Sequence, residues 1–321
     1  SGKGAMPTIL AVDLGRTGCR AALWHGDARE PDATATGDGS LGLGAVDGPD
    51  VAEASILAVV KPLLEAEGIG CIDAVGVGAP GAMQASALAR RLAAQLARSL
   101  PARTVAVTSD AITSHAGALG GRPGVVLAAG TGAVTVAIGA DGRFCRVDGL
   151  GPWIGDEGSG TWLGRRGLQA AARAGDGRGP ATILAEAAVR QFGSIGEFAA
   201  KLGSDSNPAR SIAAFAPAVA DAARNGDAVA SQLIEAGAAA LAHSMIAAAN
   251  ALHAPGLVAG AIIGGLVNMG PVLLDPLRDV LERSGASLRL QPAEGTSIDG
   301  ARHLAVVENG IHEPWIARAR G

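Results

Sequence analysis

The chain has 321 residues, of which 48 % are hydrophobic and only 17 % charged, so its length and composition favour two folded domains and exclude intrinsic disorder. Its formal net charge of −4 and its lack of any Lys/Arg block argue against nucleic acid as a partner. The three cysteines, Cys19, Cys71 and Cys145, are too far apart for a zinc site, an iron–sulfur cluster or a disulfide scaffold.

The first part of the chain predicts strands that alternate with helices. Two apolar runs, 8–13 and 20–24, form a hairpin that turns at residues 15–18. Residues 33–49 are rich in Gly, Asp and Ala, which indicates a loop or an irregular strand. Apolar periodicity then predicts helices at 51–66, 85–100 and 111–119 and strands at 72–77 and 104–108.

The second part opens in a similar way and then becomes mainly helical. Strands are predicted at 124–129, 134–138 and 144–147, before a glycine-dense loop at 149–160. Helices are predicted at 161–174, 180–192, 195–202, 211–225 and 228–252. A buried strand at 257–263, a helix at 269–284, an edge strand at 287–290 and a closing helix at 298–309 complete an α/β chain.

The sequence also predicts where the chain divides and where the protein works. Gly and Pro cluster at 117–123, which favours one domain at 6–118 and a second at 119–321 with a helical insert at about 161–252. Residues 1–5 look like the remnant of an expression tag. The apolar run at 8–12 is too short for a signal peptide, and the Ala-rich stretch 236–251 is too short to span a bilayer, so we expect no membrane partner and a cytoplasmic location.

The first motif that carries chemistry is the hairpin turn Asp13-Leu-Gly15-Arg16-Thr17-Gly18. Glycine lets the backbone N–H groups of a turn approach an anion closely, and Arg16 and Thr17 add side-chain donors for a phosphate. Asp13 ends the strand and suits hydrated Mg²⁺, which prefers carboxylate and water. Taken alone, the motif is equally well interpreted as an ordinary hairpin turn.

A matching turn, Ala129-Gly130-Thr131-Gly132, stands at the equivalent point of the second part. It offers amide donors and a hydroxyl with no bulky side chain in the way. Gly-Thr-Gly turns are common, but two matched turns facing each other across a cleft would grip a polyphosphate from both sides.

Two glycine-rich segments suggest further ligand contacts. Residues 149–160 hold five glycines beside Asp156 and Glu157; a carboxylate at such a bend accepts two vicinal sugar hydroxyls, the alternative being a solvated acidic loop. Gly264 and Gly265 follow the strand at 257–263. They leave room for a flat base such as adenine against the backbone, or they form a helix-entry turn without a ligand.

Ser109-Asp110-Ala111 lies at the carboxyl end of a predicted strand and opens a helix. Ligands of open α/β sheets gather at such strand ends. Asp110 there could accept the proton of an attacking hydroxyl, as phosphoryl transfer requires. The alternative is a helix N-cap, and the two roles are compatible.

Together these elements resemble the N-acetylglucosamine kinase and BadF-type ATPase family of the actin-like (ribonuclease H-like) fold, from residue 9 to about residue 305. The most specific part is Gly151-Pro-Trp-Ile-Gly-Asp-Glu-Gly-Ser-Gly160, since this family carries a G-x-G-P-x-x-G-D-E-G-S-G run. The order of the other motifs matches as well. The resemblance implies two lobes, each a mixed sheet flanked by helices, and ATP and Mg²⁺ as cofactors.

Carried over residue by residue, the resemblance implies a complete site. Asp13, Gly15 and Thr17 form the first phosphate motif, with Asp13 placing Mg²⁺; Gly130, Thr131 and Gly132 form the second. Asp110 is implied as the general base for the sugar hydroxyl, Gly151 and Asp156 as sugar ligands, Gly264 and Gly265 as the adenosine motif, and 216–226 as the helix near the base. Family analogy also implies a homodimer through the second lobe.

The chain departs from the family pattern at three places. The first phosphate turn usually reads D-G-G-G-T-K, so Arg16 either contacts phosphate directly or fills the site. Leu150 replaces a Trp that lies by the sugar in N-acetylglucosamine kinases, and Ser109 replaces an Asn. The sequence predicts ATP-dependent phosphorylation of N-acetylglucosamine or glucosamine at the 6-hydroxyl. The alternative is a nucleotide-switched ATPase or activator of the BadF type, although such activators need a cluster-binding cysteine pair that this chain lacks.

Overall fold

A computed structural model describes residues 6–321, and residues 1–5, interpreted above as a tag remnant, lie outside that range. The chain divides into two compact units. Unit 1 holds residues 6–123, 138–142 and 292–321, and unit 2 holds residues 124–137 and 143–291. Within residues 6–321, no helix combines the length and apolar character that a membrane crossing requires.

Unit 1 is built on a six-stranded mixed sheet flanked by helices. Its strands are β1 (Thr8–Leu14), β2 (Cys19–His25), β3 (Ala33–Gly37), β4 (Ile72–Gly78), β5 (Ala102–Thr108) and β11 (Ala317–Arg320). They lie in the order β11-β5-β4-β1-β2-β3, with β1, β4 and β5 parallel and the other pairings antiparallel. The helices are α1 (Gly48–Ala66), α2 (Ser86–Ser99), α3 (Asp110–Ala118) and α11 (Ser297–Val306).

Unit 2 is built on a five-stranded sheet and a larger set of helices. Its strands are β6 (Gly124–Ala129), β7 (Ala133–Ile138), β8 (Phe144–Asp148), β9 (Val258–Ile263) and β10 (Leu288–Leu290), in the order β10-β9-β6-β7-β8. The helices are α4 (Gly160–Gly175), α5 (Leu184–Phe192), α6 (Ile195–Leu202), α7 (Pro208–Ala213), α8 (Ala216–Arg224), α9 (Ala228–Ala251) and α10 (Pro271–Ser284). A 3₁₀ helix, Gly265–Met269, follows β9.

Each unit has its own apolar core, as the length of the chain predicts. In unit 1, Leu, Ile, Val and Ala side chains from β1, β4 and β5 pack against α1 and α2. In unit 2, Phe215, Leu241 and Met245 belong to a core that the helices share with β6 and β7. The scarcity of aromatic residues leaves this packing to aliphatic side chains and close backbone contacts.

Several predictions made from periodicity differ from the structure at their ends, for example α5, which starts at Leu184 and not at residue 180, and three of the differences have a clear physical reason. The helix predicted at 211–225 is two helices, α7 and α8, because Pro217 is accommodated in the first turn of α8 but would remove a hydrogen bond from the interior of a single helix. The helix predicted at 269–284 starts at Pro271, since Gly270 has φ 66° and ends the 3₁₀ helix. The closing helix stops at Val306, and strand β11 follows it.

The division of the chain also differs from the predicted boundary between 6–118 and 119–321. Residues 292–321 lie in unit 1, because α11 packs on α3, β1 and β4, and β11 extends the sheet beside β5. Sequence order alone does not reveal this return of the chain to the first unit.

Candidate functional site

The turn predicted as the first phosphate motif, the first phosphate turn, lies in unit 1 between β1 and β2. The N–H of Gly15 donates to the carbonyl of Gly18 at 2.8 Å, which closes the turn, and the side chains of Arg16 and Thr17 are exposed. Gly39 supports the turn from behind, since a β-carbon there would overlap the Gly15 carbonyl. The N–H of Ser40 also donates to that carbonyl at 3.0 Å. Nothing in the sequence except glycine density singles out Gly39.

Asp13 is the carboxylate at the end of β1. Its Oδ2 accepts hydrogen bonds from Arg20 Nη2 and from Ser297 Oγ, both at 2.7 Å. The side chain retains 17 % exposure. One carboxylate oxygen is therefore held by unit 1, and the spacing of Asp13 and Ser297 in sequence gives no hint of this contact.

Asp110 is the first residue of α3, immediately after the N-cap Ser109. The Ser109 hydroxyl accepts from the N–H of Ile112 at 3.3 Å, so Ser109 caps the helix and leaves the exposed Asp110 side chain available. Asp110 Oδ1 accepts from the N–H of Ala111 at 2.9 Å. The proposed base therefore stands at the carboxyl end of β5, as the sequence predicts.

The surroundings of Asp110 shift its carboxyl toward the protonated form relative to an aspartate in water. Desolvation by the surrounding protein raises the pKa of the Asp110 carboxyl above its ordinary value, and the charge of Asp13 raises it further. The N–H of Ala111 and the positive charge of Arg16 oppose this shift in the pKa. A carboxylate with a raised pKa is a stronger proton acceptor when ionised.

The second phosphate turn lies in unit 2 between β6 and β7 and is anchored on α4. Gly160 N–H donates to the carbonyl of Gly130 at 2.8 Å. Thr161 donates to the carbonyl of Thr131 from both its N–H at 3.0 Å and its hydroxyl at 2.8 Å. The carbonyls of the turn are thereby held by the first residues of α4.

Asp148, which ends β8, organises the acidic loop at 149–160. Its Oδ1 accepts from the N–H of Asp156 at 2.7 Å, and its Oδ2 from the N–H of Glu157 at 2.8 Å. Gly155 has no room for a β-carbon because the same carboxylate lies against it. The sequence motif therefore depends on a carboxylate that stands just outside it.

Asp156 connects the acidic loop with the second phosphate turn. It is only 8 % exposed, has φ 54°, and accepts from the N–H of Gly151 at 3.1 Å. Desolvation raises its pKa, as does the charge of Asp148, whereas the N–H groups of Gly151 and Ala133 oppose the shift. Gly151 and Asp156, both predicted as sugar ligands, are thus in direct contact.

A cavity of about 430 Å³ in unit 2 brings together Gly130 and Thr131 of the second phosphate turn and Gly265, the second glycine after β9. Small side chains of α7 and α8 form one wall. Its lining residues are Gly130, Thr131, Gly160, Arg210, Ala213, Ala214, Ala216, Pro217, Ala220, Asp221, Arg224, Gly265, Leu266, Asn268 and Met269. Gly264 itself is not among them, since it packs on Ala129.

The two arginines of this cavity differ in their contacts. Arg224 is paired with Asp221 and donates to the carbonyl of Met269 at 2.6 Å, which ties α8 to the 3₁₀ helix. Arg210 is exposed, and its guanidinium makes no hydrogen bond or ion pair within residues 6–321. Arg210 is therefore an uncompensated cation at the cavity, and the sequence motifs do not include it.

The predicted site residues fall into two groups, one in each unit. Asp13, Gly15, Arg16, Thr17 and Asp110 belong to unit 1, and the remaining predicted residues belong to unit 2. Across the part of the chain that is described, no cluster of three or more His, Cys, Asp or Glu side chains could hold a metal ion by itself.

The two mixed sheets flanked by helices define an actin-like ATPase fold. The chain belongs to the BadF/BadG/BcrA/BcrD ATPase family, whose model matches residues 10–282. This match confirms the predicted family and fold class, and it agrees with the use of ATP.

Individual proteins resemble this chain either over a short stretch or at low sequence identity. An N-acetylmuramic acid/N-acetylglucosamine kinase from Clostridium acetobutylicum is 39 % identical over 80 residues, which cover 25 % of this chain and 26 % of that protein. The matched stretch is therefore about a quarter of that relative's length. An inferred N-acetylglucosamine kinase from Chromobacterium violaceum superposes with a TM-score of 0.70 at 28 % identity, covering 94 % of this chain and 99 % of the other.

A ROK family glucokinase from Streptomyces griseus, solved with glucose and AMPPNP, superposes with a TM-score of 0.56 at 18 % identity. The superposition covers 93 % of this chain and 99 % of the glucokinase. At this identity the likeness shows the fold alone.

Proposed function

We propose that this protein transfers the γ-phosphoryl group of ATP to the 6-hydroxyl of an amino sugar, N-acetylglucosamine or glucosamine. The observation that carries the proposal is the cavity of unit 2, in which Gly130, Thr131 and Gly265 meet a wall of small side chains. The family match and the kinase names of the relatives support it.

The chemistry of the cavity lining supports nucleotide binding in unit 2. The turn at Gly130, Thr131 and Gly132 offers backbone N–H groups and the exposed Thr131 hydroxyl of the kind that binds phosphate, although the N–H of Gly130 itself donates to the carbonyl of Gly132 at 2.8 Å. The alanines of α7 and α8 suit the flat apolar face of a purine, and Gly265, which also lines the cavity, adds a position without a side chain. We assign Arg210 to the anionic part of the nucleotide, because no carboxylate neutralises it.

Unit 1 supplies the first phosphate motif and the residue for Mg²⁺. Gly15, Arg16 and Thr17 present an exposed turn with a cation and a hydroxyl. Asp13 fits Mg²⁺, since one of its carboxylate oxygens is not engaged by Arg20 or Ser297, and Mg²⁺ needs only one or two carboxylates besides phosphate and water. The ion would neutralise the charge that develops on the phosphate oxygens.

Asp110 is assigned as the general base. Its ionised carboxylate takes the proton of the sugar hydroxyl as that oxygen forms a bond to the γ-phosphorus. The bond between this phosphorus and the bridging oxygen breaks, and ADP leaves with the electron pair. The exposed position of Asp110 at the start of α3 makes it accessible to a sugar.

Sugar binding is assigned to Gly151 and Asp156, with the 149–160 loop held by Asp148. A carboxylate has about four lone-pair sites, so Asp156 retains capacity after accepting from Gly151. Leu150 is 68 % exposed and stands where the family often has Trp. Glucosamine and N-acetylglucosamine are therefore both included as candidate substrates.

The test is a coupled ADP-release assay with ATP and Mg²⁺ against a panel of sugars that includes glucosamine, N-acetylglucosamine, glucose and N-acetylmannosamine. Release of ADP that depends on an amino sugar, with a 6-phosphate product identified by NMR, supports the proposal. Hydrolysis that no sugar stimulates contradicts it and indicates a nucleotide switch. Light scattering on the same sample tests the homodimer that family analogy implies.

A further inference from the structure

The C-terminal segment of unit 1, residues 312–320, is bound to the corner where β5 passes into α3. Thr108, the last residue of β5, donates its hydroxyl to the backbone carbonyl of Trp315 at 2.7 Å. Thr108 is 2 % exposed, so water does not readily replace this bond. Thr108 stands two positions before Asp110, which makes this contact a direct attachment to the corner.

A second contact lies on the other side of Asp110, in the buried face of α3. His115 Nδ1 and His312 Nε2 are 2.9 Å apart, and both side chains are almost completely buried. The two rings meet edge to face with centroids 5.1 Å apart. A neutral pair of imidazoles makes one N–H···N bond here, whichever ring donates.

The same segment is also joined to the sheet and to α11. β11 pairs antiparallel with β5, with Ala317 opposite Val107. Arg318 donates to both carboxylate oxygens of Glu313 and to the carbonyls of Leu304 and Val307. The segment is therefore a fixed part of unit 1 and can hold the corner in place.

We propose that residues 312–320 act as a positioning element for Asp110, through Thr108 on one side and His115 on the other. The inference rests on the proposed role of Asp110 as general base. The family model matches residues 10–282, so residues 312–320 lie outside the matched range.

The local hydrogen bonds of Asp110 explain why the corner matters. Its carboxylate accepts from the N–H of Ala111, and its carbonyl accepts from the Thr113 hydroxyl at 3.1 Å, so both contacts lie within α3. The position of the carboxylate then follows the backbone of the corner. A misplacement of about 1 Å at a reacting group costs on the order of a hundredfold in rate.

The test compares two threonines of β5. Thr108→Val removes the hydroxyl that binds Trp315 and keeps the shape of the side chain. Thr104→Val removes a hydroxyl that donates to the carbonyl of Asp73 at 3.2 Å, at the other end of the strand, and serves as the matched control. Thr108→Ser retains the hydroxyl and should rescue.

We expect Thr108→Val to lower kcat by about tenfold or more, with the KM for ATP unchanged, and Thr104→Val to leave kcat within about twofold of wild type. The decline of kcat on the acid side of its pH profile should also occur at lower pH in Thr108→Val, and should not shift in Thr104→Val. A displaced Asp110 is better solvated, while Asp13 and Arg16 still face it. Equal kcat values for the two Val variants would overturn the proposal.

Hydrogen exchange separates this inference from the proposed function. If the wild type phosphorylates no sugar, the proposed function fails, but the positioning role still predicts faster exchange of the first amides of α3 in Thr108→Val than in Thr104→Val. His312→Leu should also speed the exchange of the first amides of α3. His312→Gln retains a donor and an acceptor and should speed it less. Unchanged exchange at α3 in Thr108→Val and in His312→Leu would contradict the positioning role whatever the substrate.

Discussion

The carboxylate of Asp156 lies directly against Gly132, so that a β-carbon on this glycine would stand only 2.6 Å from Oδ2. The second phosphate turn and the acidic loop therefore share one packed contact inside unit 2. A change at Gly132 should disturb both the turn and the loop.

We predict that Gly132→Ala destabilises unit 2 by about 1–3 kcal/mol and raises the KM for ATP, because the turn must move away from Asp156. Thermal unfolding and steady-state kinetics measure the two effects. Gly256→Ala is the control, since no atom lies within 4 Å of the added methyl group. Wild-type values for Gly132→Ala would show that the contact is easily relaxed.

Asp110→Asn should lower kcat by about 10²–10⁴-fold while ADP binding, measured by calorimetry, stays within about twofold of wild type. Asparagine keeps the size of the side chain and cannot accept the proton. In the wild type, turnover should rise with pH through the raised pKa of Asp110, because only the ionised carboxylate is a base. Asp275→Asn, on the surface of α10, is the control; retained turnover in Asp110→Asn would exclude the general-base role.

Arg210→Gln should weaken ADP binding by about tenfold or more, as expected for the loss of a charge-assisted hydrogen bond, and leave adenosine binding unchanged. Calorimetric titration with the two ligands distinguishes a phosphate contact from stacking on the base. If both ligands lose affinity equally, Arg210 acts on the base instead. Arg190→Gln removes an exposed arginine of α5 outside the cavity and should leave both affinities unchanged.

Stability should decline in mild acid because of the buried histidine pair. Burial, followed by repulsion from the positive charges that His115 and His303 carry when protonated, lowers the pKa of His312 from 6.5 to about 3. At a pH between these two pKa values, His312 binds a proton in the unfolded chain but not in the folded protein. The free energy of unfolding therefore falls as the pH is lowered, by at most about 1.4 kcal/mol per pH unit for this group.

Denaturant titrations between pH 6.5 and pH 5 measure this slope above the range where most carboxylates titrate. His312→Gln should flatten it, whereas His243→Gln, at an exposed position of α9, should not. An unchanged slope in His312→Gln would mean that His312 is protonated in the folded protein.

Asp148→Asn should raise the KM for the sugar at least about tenfold and leave the KM for ATP nearly unchanged. In the wild type, the two carboxylate oxygens of Asp148 accept from the N–H groups of Asp156 and Glu157. In the variant, the NH₂ group of asparagine replaces one of these acceptors with a donor, so the acidic loop loses part of its support. Glu157→Gln, at the exposed neighbour in the same loop, is the control. Equal effects on both substrates would show that Asp148 supports the whole of unit 2.

Much of the fold was predictable because hydrophobic periodicity is strong along most of the chain. The hairpin of β1 and β2, strand β6 and helix α6 are confirmed almost to the residue. The Pro217 break and strand β11 were not predicted. Pro217 marks the break locally, because its ring fits the first turn of α8, but apolar periodicity does not register it. Tertiary packing decides β11, whose short alternating run is extended because β5 offers a free edge.

The positions of Asp110, the turn at Gly130 and the glycine pair after β9 at the ends of strands were predictable, because each belongs to a local motif; their roles in the site stay predictions. Residues that act through the fold were not predictable. Asp148, Thr161 and Arg210 come from outside or beside the motifs, and only folding brings them to the loop, the turn and the cavity. Single residues of this kind have no local pattern that would reveal them.

The distribution of aromatic residues makes intrinsic tryptophan fluorescence a probe of the acidic loop. The chain has no Tyr and four Trp. Trp24 and Trp162 are buried, Trp315 is half-buried, and Trp153, on the acidic loop, is 61 % exposed. Acrylamide should therefore quench the emission of Trp153 more than that of the other tryptophans. A change in this quenching when a sugar is added would report binding at the acidic loop without an added dye.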